Sequence, residues 1–234
     1  AIDIGSYDVI LEIFEISKKQ GIRSVDKICH RMELGKDTYT LGKIRPEMEE
    51  ELCRVLADFV RIMEGYRVDD YRATASSAIS EASNSLYVLG KIHQLTGLSV
   101  TVLSNSEQRF LSYKALAAME DNFNKIIEKG TAILDLDGGS FQISLFDKDA
   151  LVTTQNIRMG SLRIRERLAG IQSETEHYEE MVEELIWNEV SSFKKMYLKD
   201  RKIENIMLIG DVFTDSVYQN IEEKTTKIIS RENF

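Results

Sequence analysis

The 234-residue chain holds a single proline, two cysteines, three histidines and one tryptophan, and each scarcity removes a class of function. Cys29 and Cys53 are too few for a metal site or a disulfide framework, and both lie in apolar-patterned segments, so they read as buried free thiols of a reducing compartment. His30, His93 and His177 stand at no ligand spacing from one another or from either cysteine, which argues against zinc and against a histidine-activated nucleophile. Hydrolytic chemistry in this chain must then rest on carboxylates. Long apolar runs are missing too: none approaches the ~18 to 20 residues that span a bilayer, so no membrane association is expected. Positive charge is short. A net charge of −9 disfavours DNA and other non-specific nucleic-acid binding, and makes recognition of a polyanion depend on a local basic patch or on Mg2+. No signal peptide is evident. Because the chain opens directly on a strand without an initiator Met, residues ahead of Ala1 are expected to be missing, and the expected location is cytoplasmic.

What is present is an ordinary globular composition, 43% hydrophobic and 29% charged, in a length that suits one large domain or two of usual size. The chain is organised around Thr131 to Phe146. There an apolar run enters a turn carrying Asp135, Asp137, Gly138, Gly139 and Ser140, and an alternating apolar run leaves it. The pattern reads as strand, tight turn, strand. An Asp-Gly pair alone would reverse the chain; the added carboxylate, bare amides and hydroxyl suit a loop that holds a phosphate and its metal ion. The first fourteen residues repeat the plan. Aligned on Asp3 and Asp135, the apolar positions Ile2/Leu134, Ile4/Leu136, Val9/Phe141 and Leu11/Ile143 coincide. A hairpin used twice implies two related domains whose turns face one cleft, the plan of the actin, Hsp70 and sugar-kinase superfamily, which the duplication resembles.

Along the chain, the pattern gives a third strand within Gly21–Leu34, a polar loop from Gly35 to Gly42, and a helix over Pro46–Tyr66 with proline in its first turn. A short strand at Tyr71–Ala75, a small-residue helical segment to Ala82, a helix over Asn84–Thr96 and a strand at Leu98–Leu103 follow. Ser104 then caps a helix running to about Met119. Glu120 to Gly130 is charged and weakly patterned. After the organising hairpin come a strand at Leu151–Gln155, helices at about Ser161–Leu168 and Glu174–Leu198, a strand at Ile203–Ile209, and a last helix or loop. The expected fold is α/β: two actin-like, ribonuclease H-like domains, 1–115 and 116–234, each a mixed sheet flanked by helices.

Both hairpins, Arg31 to Leu34, Ala75 to Asn84, Ser104 to Tyr113 and Asn156 to Gly160 fall in the order of the exopolyphosphatase/guanosine pentaphosphate phosphatase (Ppx/GppA) family, which the chain resembles over nearly its whole length. The resemblance implies release of a terminal phosphate from polyphosphate or a phosphorylated guanosine nucleotide by an activated water, with Mg2+ assisting. Phosphoryl transfer of this kind needs charge neutralisation and a carboxylate that orients water, and no covalent intermediate. Glu107 matches the family's catalytic base, Asp3 and Asp135 its metal-approaching acids, and Gly5, Ser6, Gly138, Gly139 and Ser140 its phosphate loops. Departures fall on functional positions. Asp137 replaces a glycine, Gln142 the closing glutamate and Ser80 a phosphate-gripping arginine. Tyr7, Asn105 and Gln108 replace an asparagine, a glycine and a glutamate, and Gly210-Asp211-Val212-Phe213-Thr214 keeps one glycine of a glycine-rich loop.

Structural readings stand beside the functional ones. Glu107 also suits a helix-start carboxylate favoured by the dipole. Arg158, Arg163, Arg165 and Arg167 suit a phosphate chain or, with Arg163 and Arg167 four apart, a solvated helix face. Three functions remain: a Mg2+-dependent phosphohydrolase, a non-catalytic relative that binds a phosphorylated ligand or protein partner as a sensor, and, more distantly, a sugar-kinase-like phosphotransferase. A homodimer is possible for any of them.

Overall fold

The structure is a computed structural model, and it describes residues 1–19, 21–119, 122–172, 177–199, 201–210 and 227–230. The chain divides into two compact units, Ala1–Gln108 and Arg109–Phe234.

The first unit runs β1 (Ile2–Ile4), β2 (Asp8–Ser17), β3 (Gly21–Arg31), α1 (Leu34–Leu41), α2 (Pro46–Tyr66), β4 (Ala73–Ala75), α3 (Ser77–Ser80), α4 (Ser85–Thr96) and β5 (Val100–Val102). Its sheet order is β3-β2-β1-β4-β5, with β1 antiparallel to β2 and parallel to β4. Alternation in β1 and β2 buries Ile2, Ile4, Val9 and Leu11 in one core with Leu52, Leu56 and Phe59 of α2 and Ile92 of α4. Each such side chain contributes roughly 1.5–3 kcal/mol on burial.

A helix, α5 (Asn105–Met119), leads from the first unit into the second, which continues with α6 (Phe123–Ile127), β6 (Thr131–Leu136), β7 (Phe141–Asp147), β8 (Ala150–Ile157), α7 (Ser161–Gln172), α8 (Tyr178–Tyr197), β9 (Asn205–Ile209) and β10 (Lys227–Ser230). Read from β8, its sheet is β8-β7-β6-β9-β10, the same order as the first. The register repeats as well: Ile2↔Leu11 and Ile4↔Val9 in β1/β2 correspond to Leu134↔Ile143 and Leu136↔Phe141 in β6/β7. One difference separates the copies, since β5 is parallel to β4 whereas β10 is antiparallel to β9. Both faces of the second sheet carry apolar clusters. Ile133, Phe146 and Met207 pack with Leu116, Phe123 and Ile127, while Phe141, Ile143 and Leu145 pack with Phe193 of α8.

Four sequence expectations need correction. Gly35 to Gly42 is not a loop: Leu34–Leu41 is helical and closes on Gly42 at φ 70°. That helix is held from outside, by Asp37, 1% exposed, which accepts from the Arg45 backbone N–H and guanidinium at 2.8–3.0 Å, and by Thr38 Oγ1 donating to Ala78 O at 2.6 Å. Cys29 is exposed, because alternation on β3 turns Ile28 toward the core and its neighbour outward; Cys53 is buried, and burial pushes its thiol pKa up. The weakly patterned segment includes α6, two of whose apolar residues, Phe123 and Ile127, are buried. At the chain's end, Lys227–Ser230 is a strand; residues 120–121, 173–176 and 211–226, which include most of the glycine-poor loop, lie outside the described residues. Among the described residues no helix is long and apolar enough to cross a membrane.

Candidate functional site

The second turn is built by α7. Ser161 N–H donates to Asp137 O (3.2 Å), Arg163 N–H to Gly138 O (3.0 Å) and Arg163 Nε to Gly139 O (2.8 Å). Among the described residues every peptide bond is trans, so C=O and N–H of one peptide plane point in opposite directions. Three carbonyls turned toward α7 therefore send the amides of Gly138, Gly139 and Ser140 to the other side, as a run of donors suited to an anion. Gly160 makes this packing possible: a Cβ there would lie 2.4 Å from Asp137 O, Gly138 C and Ser140 N. Arg163 thus neither decorates a solvated face nor lies idle; it is a clamp on the turn. Arg165 pairs with Glu166 at 2.8 Å, and Arg158 and Arg167 are exposed.

The first turn repeats the device. Gly5 N–H donates to Asp8 O at 2.9 Å, as Asp137 N–H donates to Ser140 O at 3.0 Å. Gly35 N–H of α1 donates to Ser6 O, and Met32 and Glu33 N–H donate to Tyr7 O, at 2.8–2.9 Å. The amides of Tyr7 and Asp8 consequently face away from α1. Helix α1 follows β3 as α7 follows β8, so the segment read as a loop is the counterpart of the helix that builds the second turn. Ser6 is 6% exposed; its Oγ lies 2.6 Å from Tyr39 Oη, which lies 2.8 Å from Ser77 Oγ. Arg31 stacks over the Tyr7 ring at 4.5 Å, bringing a cation to this turn.

Asp3 is the middle residue of β1 and Asp135 the last but one of β6. Asp3 Oδ1 accepts from Thr74 Oγ1 (3.4 Å), and Asp135 Oδ2 accepts from Ser112 Oγ (3.2 Å). Asp135, Gln142 and Asn156 are paired in register across β6, β7 and β8, so their side chains share one face. That face is covered by α5: Arg109 donates to Thr154 Oγ1 (2.7 Å), Tyr113 to Ser144 Oγ (2.5 Å), and Ser112 to Asp135. Gln142 is 3% exposed, yet its Oε1 and the Asn156 Oδ1 have no hydrogen-bond partner among the described residues. Leaving such oxygens unpaired normally costs on the order of 1–3 kcal/mol, and orphaned oxygens beside a carboxylate are a donor set for an oxygen-seeking divalent cation. Among the described residues no group of three or more His, Cys, Asp or Glu gathers as a ligand cage. Such a cation would be held by Asp135 and the neighbouring amide oxygens, with water and phosphate completing its shell.

Glu107 closes a capping box at the start of α5. Its Oε2 accepts from Ser104 N–H (2.8 Å) and Oγ–H (2.7 Å), while Glu107 N–H donates to Ser104 Oγ (3.3 Å). The Ser104 backbone and hydroxyl bonds hold its carboxyl below the ordinary glutamate value. Ser80 is exposed at the end of α3. Asn84, the last residue of the small-residue motif, is structural: it bridges Ile44 backbone and Glu49 Oε1 at 2.8–3.0 Å. Sequence reasoning gave no role to Tyr39, Arg109, Ser112 or Tyr113, although Tyr113 closes the motif that begins at Ser104. The last three stand at i, i+3 and i+4 of one helix, a spacing that would have placed them on a shared face.

The sequence profile of the Ppx/GppA phosphatase family matches residues 12–234. A bifunctional 3-dehydroquinate synthase/phosphatase of Fusobacterium nucleatum is 22% identical over 96% of the chain, and exopolyphosphatase 1 of Mycobacterium leprae is 25% identical over 61% of it. The chain spans 34% and 41% of the length of those two relatives. Among solved structures, an exopolyphosphatase from Cytophaga hutchinsonii superposes with a TM-score of 0.75 at 20% identity, over 89% of this chain and 64% of that one. The Ppx/GppA family member of Aquifex aeolicus gives 0.64 at 23% identity over the same shares. These likenesses establish the expected fold, an α/β chain of actin-like units.

Proposed function

The chain belongs to the Ppx/GppA phosphatase family, and we propose that it carries the phosphate-seating part of a phosphohydrolase that releases the terminal phosphate of inorganic polyphosphate or guanosine pentaphosphate. The observation that carries this reading is the second turn, where three consecutive amides are aimed away from α7. Amides so placed stabilise the charge of a transferring phosphoryl group without reorganising.

In this reading Gly138, Gly139 and Ser140 hold phosphate at the second turn, and Gly5 and Ser6 form the matching phosphate turn of the first unit. Asp135, with Gln142 Oε1 beside it, would hold Mg2+, whose chemistry there would be charge neutralisation; Asp3 is the corresponding acid of the first turn. Glu107 orients and deprotonates the attacking water through the carboxylate oxygen its cap leaves available, and its lowered pKa keeps it ionised at neutral pH. The cytoplasm supplies the substrate.

A second reading, a binder without turnover, is favoured by one observation: the buried neutral Gln142 stands where the family carries a glutamate. Phosphate release from long-chain polyphosphate and from guanosine pentaphosphate, measured side by side with and without Mg2+, separates the two. Mg2+-dependent release from either substrate supports the hydrolase; tight binding of both with no release supports the sensor.

A further inference from the structure

The tryptophan that the chain has only once, Trp187, sits on α8 and is 61% exposed. A single exposed aromatic is ordinary on a protein surface, so the case rests on what surrounds this one. The charges around it are ordered. Glu180 lies seven residues before Trp187 and Lys194 seven after, two helical turns each way, so the three share one stripe. Glu179 and Lys195 stand eight residues before and after, beside that stripe. Glu179 and Glu180 thus lie on one side of Trp187 and Lys194 and Lys195 on the other, at matched distances; Glu183 and Glu184 add to the acidic side, and Glu189 is an acid on the basic side.

Trp187 also forms the wall between two grooves. One, of about 530 Å³, runs past Tyr178, Val182 and Ile186; the other, of about 820 Å³, runs past Ser191, Lys194 and Leu198. A second copy of this helix, turned antiparallel, sets each of these four charges against its opposite, whereas a parallel copy would set Glu against Glu.

We propose that this face is a homodimer surface in which two α8 helices pack antiparallel about a two-fold axis at Trp187. Each Trp187 then covers its partner's, and Glu180 and Glu179 of one subunit meet Lys194 and Lys195 of the other. A two-fold contact is self-complementary by construction, so a single pair of charges is used twice. Glu180 holds His177 Nδ1 at 3.0 Å in the single chain, with both side chains more than two-thirds exposed. An exposed pair of that kind is weak and yields to the new partner.

Because the chain has one tryptophan, its fluorescence reports on the interface directly. With rising protein concentration the emission should move to shorter wavelength, at the same midpoint as the monomer–dimer transition in sedimentation equilibrium. Glu180→Lys or Lys194→Glu alone should each weaken association at least tenfold, because each replaces two attractions by two repulsions. Mixing these two variants in equal amounts should restore association, since every opposed pair in the heterodimer is again Glu against Lys. Melting temperatures of both variants should match the parent. The proposal is overturned if the parent chain stays monomeric up to about 1 mM, the ceiling for a specific contact. It is equally overturned if emission is already blue-shifted in the monomer, which would mean that another segment covers Trp187, or if the mixture associates no better than its components.

Discussion

A carboxamide at position 142 gives a cation one neutral oxygen where a glutamate would give a charge, and here that oxygen is buried without a partner among the described residues, beside Asp135. Gln142→Glu should therefore bring two carboxylates together on one sheet face. Without metal their repulsion should lower stability by about 1–3 kcal/mol; with Mg2+ the loss should be regained and the Mg2+ needed for half-maximal phosphate release should fall at least tenfold. Melting curves in chelator and in Mg2+ check both halves. At position 107 the capping role and the proposed chemistry separate by one substitution. Gln can still close the box, so Glu107→Gln should leave the melting temperature unchanged while phosphate release falls roughly 10²–10⁴-fold. The pH dependence follows from the sign of the shift. The folded pKa lies below the ordinary 4.5, so the carboxylate is ionised, and its contribution to the cap is present, above that pH and is lost only as pH falls through the lower folded value. An acid limb of the rate profile set by Glu107 should thus fall below pH 4.5. At this scale the sequence was informative about residue types and silent about partners: Asp3, Ser6, Asp135 and Ser140 could be named from the turns, but Tyr39 and Arg109 find their partners 33 to 45 residues away.

Elements were legible where their own pattern decides them. The 3.6-residue stripe of α2, its Pro46 start and the alternation of β1 and β2 are local signals, and the helix over Pro46–Tyr66 appears with the expected bounds. Helix α1 was not, because its stabilisation comes from Arg45, Ala78 and the first turn rather than from its mixture of polar residues and glycine. The two glycines of α7 and its approach give a paired test of what that helix does. Gly160→Ala places a Cβ against three backbone atoms at 2.4 Å, so α7 must move off the turn. We expect a loss of about 1–3 kcal/mol in stability and a weaker phosphate affinity. Gly170→Ala, with no described neighbour within 4 Å of its Cβ, should raise stability by roughly 0.5–1 kcal/mol and leave phosphate affinity alone. Urea unfolding and phosphate titration of both variants measure the contrast.

Across the whole molecule the duplication is the deepest regularity. Two sheets share one strand order, one hairpin register and one way of aiming a turn's amides, by bonding its carbonyls to the segment that follows the third strand. The aligned apolar pairs in the sequence predicted that register, since register is set wherever one face of a hairpin is buried. They could not predict the opposite sense of β5 and β10, which depends on the connections rather than on the pairs. The central claim is that phosphate is seated by these amides. Titration of the ¹⁵N-labelled chain with tripolyphosphate and Mg2+, followed by amide NMR, tests it most directly. The account predicts that the signals of Gly138, Gly139 and Ser140 move together at one shared midpoint. Tripolyphosphate binding that leaves all three unmoved while shifting only amides near exposed lysines would contradict it.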